Sequence, residues 1–456
     1  MAALNSIQKQ CAPTATGQWW PGKSSTSVFL LVLALVTSGL LCPNSAPGAA
    51  AQQGEKKASV KKAAGEEEAE VESTPGKVPP LLIARPTELT ERSLSGQYQF
   101  FLGCLHSHSV YSGDHAKTVA TKFNNGTANY QMHTPAEVFQ KAASNFHDFY
   151  FMTDHSSPEQ NEFYQNGFTD EHWAATKHQA EAATTASFLA MRGYEFSRNN
   201  DPDKGGLGHM NVLYSAAWNS AYAPGHTFAW LYNWMVPQAK SLVVAQFNHP
   251  AMQGARGKNF NNYAGRTKTR NEVVRLAEIW NSAEGLHYVP VVEKIWAAGW
   301  KVAPTAGGDI HGVFGIENRR MRTGVLAERL TPEAIMQALQ ARRAYATLEP
   351  KLHFEFTLDG HLMGTALDKR PPGDLTVKIF VNDPAGAVIS KVEVHGGKYE
   401  TNGGETKVLV SVPVGKDKKT IEGAVPNGYD FYYATVFKEE TDTARAFSSP
   451  IWMDND

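Results

Sequence analysis

FFLGCLHSHSVYSGDHAKT, residues 100–118, decides the fold, because an apolar run ends there in two histidines one residue apart. In an extended strand side chains i and i+2 share a face. His106 and His108 therefore project together, on the parity of Leu102 and Cys104, which the alternation places in the core beneath them. Two imidazoles at one strand end suit a metal ion. Asp114, after the turn-like Ser112-Gly113, adds a hard oxygen ligand able to return toward the same strand end. Two ordinary histidines would give the same His-x-His, so the choice falls to the rest of the chain.

Four further apolar runs end in potential ligands. DFYFMTDHS ends in Asp154 and His155, FLAMRGYEFS in Glu195, SLVVAQFNHP in His249, and KVAPTAGGDIHG in Asp309 and His311; GLGHMNVLYS offers His209 at a strand start or end. Between residues 100 and 347 such runs alternate with helical patterns, the signature of repeated βα units on a parallel sheet. Strands are expected at 101–108, 148–155, 187–195, 209–214, 242–249, 275–280 and 301–309. Helices are marked by Thr134-Pro135-Ala136-Glu137, a capping-box start with proline in the first turn, and by 170–185, 289–298 and 331–343. A distorted seven-stranded α/β barrel fits this order, and almost every candidate ligand falls at the C-terminal end of its strand, the face that carries chemistry in βα barrels. His133, His147, His172, His178 and His287 lie in helical or loop patterns and read as solvated or structural.

The ordered series His-x-His, Asp-His, Glu, His, His, Asp-x-His resembles the PHP (polymerase and histidinol phosphatase) superfamily of metal-dependent phosphoesterases, over roughly residues 100–347. The resemblance implies a TIM-like (β/α)7 barrel with two or three divalent ions. It makes His106, His108, Glu195 and Asp309 ligands of one ion, Glu195 with His209 and His249 ligands of a second, and Asp114, His155 and His311 ligands of a third. Asp114 stands where some members carry histidine, and a short glycine-rich segment separates His209 from Glu195. Glu195, Asp309 and His249 are the residues expected to take part in catalysis. A nitrogen and oxygen donor set without thiolate suits Zn, Mn or Fe alike. Such ions acidify a bound water, and the hydroxide attacks phosphorus or a carbonyl carbon.

Substrate selection is expected from loops beyond the strands. Residues 251–271 carry Arg256, Lys258, Arg266, Lys268 and Arg270 without an acidic residue, and Glu317 precedes Arg319, Arg320 and Arg322. Arg256, Lys258, Arg266, Arg319, Arg320 and Arg322 are candidates for holding an anionic substrate, against the alternative of a solvated basic surface. From 350 to 456 the texture changes to period-two runs such as HFEFTLDG, LTVKIFVND and FYYATVFKEE, which argue a small antiparallel β-sandwich. That tail, with the preceding Arg343-Ala344-Tyr345-Ala346-Thr347, is similar to the secreted CehA/McbA-like branch of the superfamily, whose founding members hydrolyse a carbamate ester. Phosphoesterase, carboxylic or carbamate ester hydrolase, and non-catalytic metal or ligand binder all stay open.

The 456 residues carry a net charge of -2, which gives no reason to expect nucleic acid as a partner. SVFLLVLALVTSGLL, residues 27–41, follows Lys9 and Lys23, has no acidic residue before Glu55, and leads into small residues at 46–51. Residues 1–50 thus read as a signal peptide cleaved near Ala49 or Ala51, with an uncleaved anchor as the alternative. The mature protein is expected to be secreted or periplasmic, without stable membrane insertion. Cleavage would remove Cys11 and Cys42, leaving Cys104 without a disulfide partner. Residues 51–90, lysine-rich, then glutamate-rich, then proline-rich, read as a disordered linker, 91–349 as the barrel and 350–456 as the sandwich. Oligomeric state is not legible.

Overall fold

The computed structural model describes residues 91–112, 133–156, 167–199, 206–251, 259–313, 315–400, 406–415, 419–439 and 441–454. The expected signal peptide and the whole expected linker, together with Asp114, Arg256 and Lys258, lie outside the described residues.

The chain is mixed α/β. It runs through β1 (Gln99–Cys104), β2 (Ser107–His108), α1 (Pro135–Ser144), β3 (Phe149–Met152), α2 (Asp170–Ala183), β4 (Leu189–Arg198), β5 (Gly208–Leu213), α3 (Phe228–Met235), β6 (Val244–Asn248), β7 (Val274–Asn281), β8 (Ala283–His287), α4 (Val289–Ala297), β9 (Ala303–Gly307), β10 (Ile310–His311), β11 (Arg322–Ala327), α5 (Pro332–Gln340) and β12 (Ala344–Thr347). β1, β3, β4, β5, β6, β7 and β9 fall where the seven expected strands lie, and each neighbours the next in one sheet. Past β9 the sheet turns back on itself: Thr323 Oγ1 on β11 accepts from Ala306 N at 3.0 Å and donates to Ala306 O at 3.1 Å, while β11 pairs antiparallel with β1.

Two expectations are corrected. β5 runs antiparallel to both β4 and β6, and no helix among the described residues separates it from β4, so the array is not a uniform parallel repeat. The strand parity through the first histidines also breaks. Cys104 packs with Val138, Phe139 and Tyr150 under α1, whereas Leu105 joins Phe149 and Phe151 on the other face. The chain leaves β1 at Cys104, and His108 continues in a separate short parallel pairing of β2 with β10.

Helix starts follow local chemistry. Thr134 caps α1 and its backbone N–H donates to Glu137 Oε2 at 2.7 Å, a reciprocal box that satisfies donors which the first turn would leave orphaned. Thr169, Thr227 and Thr331 cap α2, α3 and α5 through the side-chain oxygen alone, which accepts from His172 N, Trp230 N and Ala334 N. Helix α3, FAWLYNWM, was not among the expected helices, because an aromatic run this apolar carries little 3.6-residue contrast.

Alternation along the strands sorts the core. Phe149, Phe151, Leu189, Met191, Leu213, Val244, Leu276 and Ala303 gather with Ile335, Met336 and Leu339 of α5, while Tyr150, Met152 and Ala190 face α1 and α2. Each large side chain buried this way contributes about 1.5–3 kcal/mol. Along the first face the next positions are Asn211, Gln246, Glu278 and Thr305, all fully buried, so a polar layer lies between the apolar plug and the strand ends beyond it.

After β12 come β13 (His353–Leu358), β14 (His361–Leu362), β15 (Leu375–Asn382), β16 (Ile389–Gly397), β17 (Lys407–Pro413), β18 (Thr420–Val425), β19 (Phe431–Lys438), β20 (Ala446–Ser448) and β21 (Ile451–Trp452). β14, β13, β15 and β18 form an antiparallel four-stranded sheet. It packs through Phe354, Phe356, Ile379 and Ile421 onto Val392, Val394, Tyr432 and Val436 of the β17-β16-β19-β20 strands. Those strands continue through β12 into β11, so the facing sheets are joined edgewise to the α/β part rather than linked to it by a tether.

Candidate metal centre

The polar layer ends in a cluster of imidazoles and carboxylates. Strand direction explains the gathering: β3, β4, β6, β7 and β9 bring their C-terminal ends to one edge, and the reversed β5 brings its N-terminal end there, which is why His209 at a strand start meets Glu195 near a strand end. The isolated bridge between His155 and Glu195 extends the β3–β4 ladder to the same edge. His249 (φ 30) and Asp309 (φ 46) turn into the left-handed region, a strained conformation for a side-chain-bearing residue that recurs where function fixes the geometry.

Glu195, fully buried, sits at the centre. Its Oε1 lies 3.1 Å from His106 Nε2, 3.2 Å from His209 Nδ1 and 3.6 Å from His249 Nε2, and its Oε2 lies 2.6 Å from His155 Nδ1. Asp309 Oδ1 is 3.1 Å from His108 Nε2 and 3.4 Å from His106 Nε2. The rings of His108 and His311 stack at 4.1 Å. Four overlapping groups have ligand atoms within 4.8 Å of one another: His106, His108 and Glu195; His106, His249 and Asp309; His155, Glu195 and His209; and His108, His155 and His311. Eight of the nine expected ligands are thereby brought together, and Asp114 lies outside the described residues. The grouping differs in detail from the expected one, since His155 stands with Glu195 and His209 as well as with His311.

The electrostatics fit a cation. Burial would by itself raise Glu195, but His209, His155 and His106 hold its carboxyl well below the usual range. Asp309 is likewise held low against burial by His106 and His108. Burial, reinforced by His311 and His155, pushes His108 down to about 3, so its ring is neutral and offers a lone pair. Burial works against protonation of His106, yet Asp309, Glu278 and Glu195 together raise its pKa well above the ordinary histidine value. Two imidazole nitrogens, His106 Nε2 and His108 Nε2, face each other at 3.2 Å. Low carboxylates and convergent imidazoles make a donor set suited to a divalent metal ion.

Residues outside the expected ligand set surround the ligands, among them Glu278 and Asn199, which sequence reasoning passed over, and Asp154, which it had offered as a potential ligand. Glu278 Oε1 lies 2.9 Å from His106 Nδ1, and its Oε2 accepts from His249 N at 2.7 Å and Asn281 Nδ2 at 2.8 Å. Asn199 Oδ1 lies 2.8 Å from His209 Nε2. Asp154 accepts from Ser109 N at 2.6 Å and from Ser112 Oγ at 2.8 Å, and Ser112 Oγ in turn lies 2.8 Å from His108 Nδ1. Such partners orient metal-binding imidazoles. A lone acidic residue inside the apolar strand VRLAEIWN was the available signal for Glu278.

The basic residues are disposed differently from the expectation. Arg266 Nε donates to Gly299 O at 3.1 Å. Gly299 precedes the start of β9, at the edge opposite Asp309, so Arg266 is not over the cluster. Arg322 is buried, with its guanidinium on the carbonyls of Arg319, Met321 and Asn145. Arg320 pairs with Glu349 at 2.6 Å, and Arg319 has its Nε buried without a hydrogen-bond partner. The anion-binding role expected of Arg266 and Arg322 is corrected accordingly: both neutralise main-chain carbonyls.

No family model matches the chain. An uncharacterized protein of Chlamydia pneumoniae is 28% identical over 144 residues, covering 29% of this chain and 22% of that protein. The chain therefore spans about a fifth of the length of that curated relative. Among solved structures, a two-domain protein from Bacteroides vulgatus containing a predicted PHP-like metal-dependent phosphoesterase is similar at 16% identity and a TM-score of 0.41, over 80% of this chain and 99% of that one. A DUF3823 family protein from Bacteroides ovatus is similar at 13% identity and a TM-score of 0.14, over 22% of this chain and 55% of that one. Likenesses of this size carry no weight for the site, which stands on its own residues.

Proposed function

We propose that this chain is a metal-dependent phosphoesterase of the PHP superfamily, a distorted barrel built on the seven strands β1, β3, β4, β5, β6, β7 and β9 and holding two or three divalent ions. The observation that carries this is the set of four overlapping His and carboxylate groups at one edge of a curled sheet, contributed in the chain order of that superfamily's ligands. Zn, Mn and Fe all suit the donors. Bound divalent ions supply Lewis acidity and make a nearby water easier to deprotonate. The chain's own part is to keep His108 neutral, to present Glu195 to two groups at once, and to seal the ligands from below with Asn211, Gln246, Asn248 and Thr305.

One observation favours a second reading, a carboxylic or carbamate ester hydrolase with the same centre. Among the described residues, Arg266 and Arg322 are engaged on main-chain carbonyls and Arg320 on Glu349, and a neutral ester does not require a cationic clamp. Parallel assays of metal-loaded protein on phosphomonoester, phosphodiester, aryl ester and aryl carbamate substrates separate the two. The expected result is turnover of a phosphoester, abolished by chelation and restored by Mn or Zn. Turnover of the carbamate or ester alone moves the assignment to the second reading, and no turnover with metal bound makes the chain a binding protein.

We further propose export, with residues 1–50 removed and 51–90 a spacer. Mass spectrometry of protein from the native host should find a mature terminus near residue 50. An intact Met1 terminus in the membrane fraction would instead identify the run at 27–41 as an anchor.

A further inference from the structure

We propose that Glu278, which is not a ligand in any of the four groups, fixes the hydrogen on His106 Nδ1 and thereby makes Nε2 the ligand atom. The inference rests on the metal reading above and concerns a positioning residue.

The polarity of the buried amides can be followed from two groups that cannot reverse. Leu105 O can only accept, so Asn211, 2.8 Å away, presents its Nδ2 to that carbonyl and its Oδ1 to Asn248 Nδ2. Asn248 Oδ1 is then left to accept from Gln246 Nε2 at 2.9 Å, and Gln246 Oε1 accepts from Thr305 Oγ1 at 2.8 Å. Gln246 Nε2 therefore also faces Glu278 Oε1, at 3.4 Å, as a donor. From the other side His249 N–H, which can only donate, is 2.7 Å from Glu278 Oε2. Asn281 Nδ2 donates to Glu278 Oε2 at 2.8 Å, and its Oδ1 accepts from the Ser282 hydroxyl. Glu278 thus receives donors at both oxygens, and a carboxylate is the side chain that accepts at both. His106 Nδ1, 2.9 Å from Oε1, completes the set as a donor. Nε2 is left facing Glu195, Asp309 and His108.

Glutamine at this position would keep the shape and reverse one end. Its oxygen must face His249 N–H, so its NH2 would face His106 Nδ1. That nitrogen can adapt only by giving up its hydrogen and accepting, which leaves hydrogen on Nε2 and blocks the ligand position. Gly307 guards the same contact, because a Cβ there would come within 1.9 Å of Glu278 Oε1.

Zinc and manganese titrations of metal-free wild type, Glu278→Gln and Gly307→Ala test this, together with 15N spectra of histidine-labelled protein at a pH high enough that the His106 ring carries a single hydrogen. Expected are an affinity loss of about 10–100-fold in both variants for the ions of the groups containing His106, with the group His108, His155 and His311 spared. His106 Nδ1 should carry hydrogen in the wild type and none in Glu278→Gln. Wild-type affinity in Glu278→Gln, or hydrogen retained on Nδ1, overturns the proposal. If the variants do not fold, the wild-type spectrum decides: a bare Nδ1 overturns the assignment and a protonated one supports it. A wild type that binds neither metal would instead count against the metal reading, while its spectrum still decides the tautomer.

Discussion

Replacing Glu195 by glutamine is expected to cost at least ~100-fold in turnover and more than one bound ion per chain, with the fold retained. The floor is the upper end of what loss of a partner outside the ligand set costs, and Glu195 is inside it. Its two oxygens contact His106, His155 and His249, which follow β1, β3 and β6, and His209, near the start of β5, and it belongs to two of the four groups. Glutamine preserves volume in a fully buried position and retains an acceptor for Asn248 Nδ2, which lies 2.7 Å from Oε1, so packing has little reason to fail. What disappears is the negative charge and one of the two lone-pair-bearing atoms. Metal analysis beside a circular dichroism spectrum checks both halves. A variant that holds a full complement of metal and still turns over substrate would show that Glu195 is not shared between ions.

The positions of the ligands were legible because each ends an apolar run, and burial of one strand face forces period two up to that end. His155, Glu195, His249, Asp309 and His311 could thus be placed at one edge without knowing how β5 runs, whereas His209, at the start of β5, reaches that edge only because β5 is reversed. Its direction was hidden, since an isolated apolar strand looks the same read from either end. The break after Cys104 was hidden too: strict alternation predicted His106 above Cys104, whereas a kink at Leu105 turns the histidine inward. Glu278 and Asn199 were passed over for a different reason. Their task is set by a partner 172 and 10 residues away respectively, and one long-range hydrogen bond leaves no periodic trace in the chain. The loop arginines show the converse, since charge alone placed Arg266 over the cluster and the fold directs it to Gly299 O at the opposite edge.

Metal-free protein should lose stability on mild acidification through His108. Buried beside His311 and His155, its ring has a pKa of about 3, against 6.5 for the ordinary group. A base whose folded value is depressed contributes stability that is complete above the unfolded value and lost as pH falls below it. Between pH 7 and pH 5 the unfolded chain takes up a proton at His108 that the folded chain refuses, which costs about 2 kcal/mol. His106 acts in the opposite sense. Its folded value is raised by Asp309, Glu278 and Glu195 in spite of burial, so its contribution is fully present below the unfolded value and is lost as pH rises through the folded one. It therefore offsets part of the loss at pH 5. Glu195 and Asp309, held low, contribute above their unfolded values of 4.5 and 3.8 and lose that only at lower pH. Urea unfolding of chelated protein at pH 7 and pH 5 should show the net decrease. His108→Asn should reverse it, because the opposing His106 contribution then acts alone. The same pH dependence in variant and wild type would place the responsible proton elsewhere. Saturating metal should raise stability at pH 7 by an amount set by concentration over Kd, about 4 kcal/mol at a thousandfold excess. That gain should shrink toward pH 5, where protons compete for the imidazoles that hold the ions.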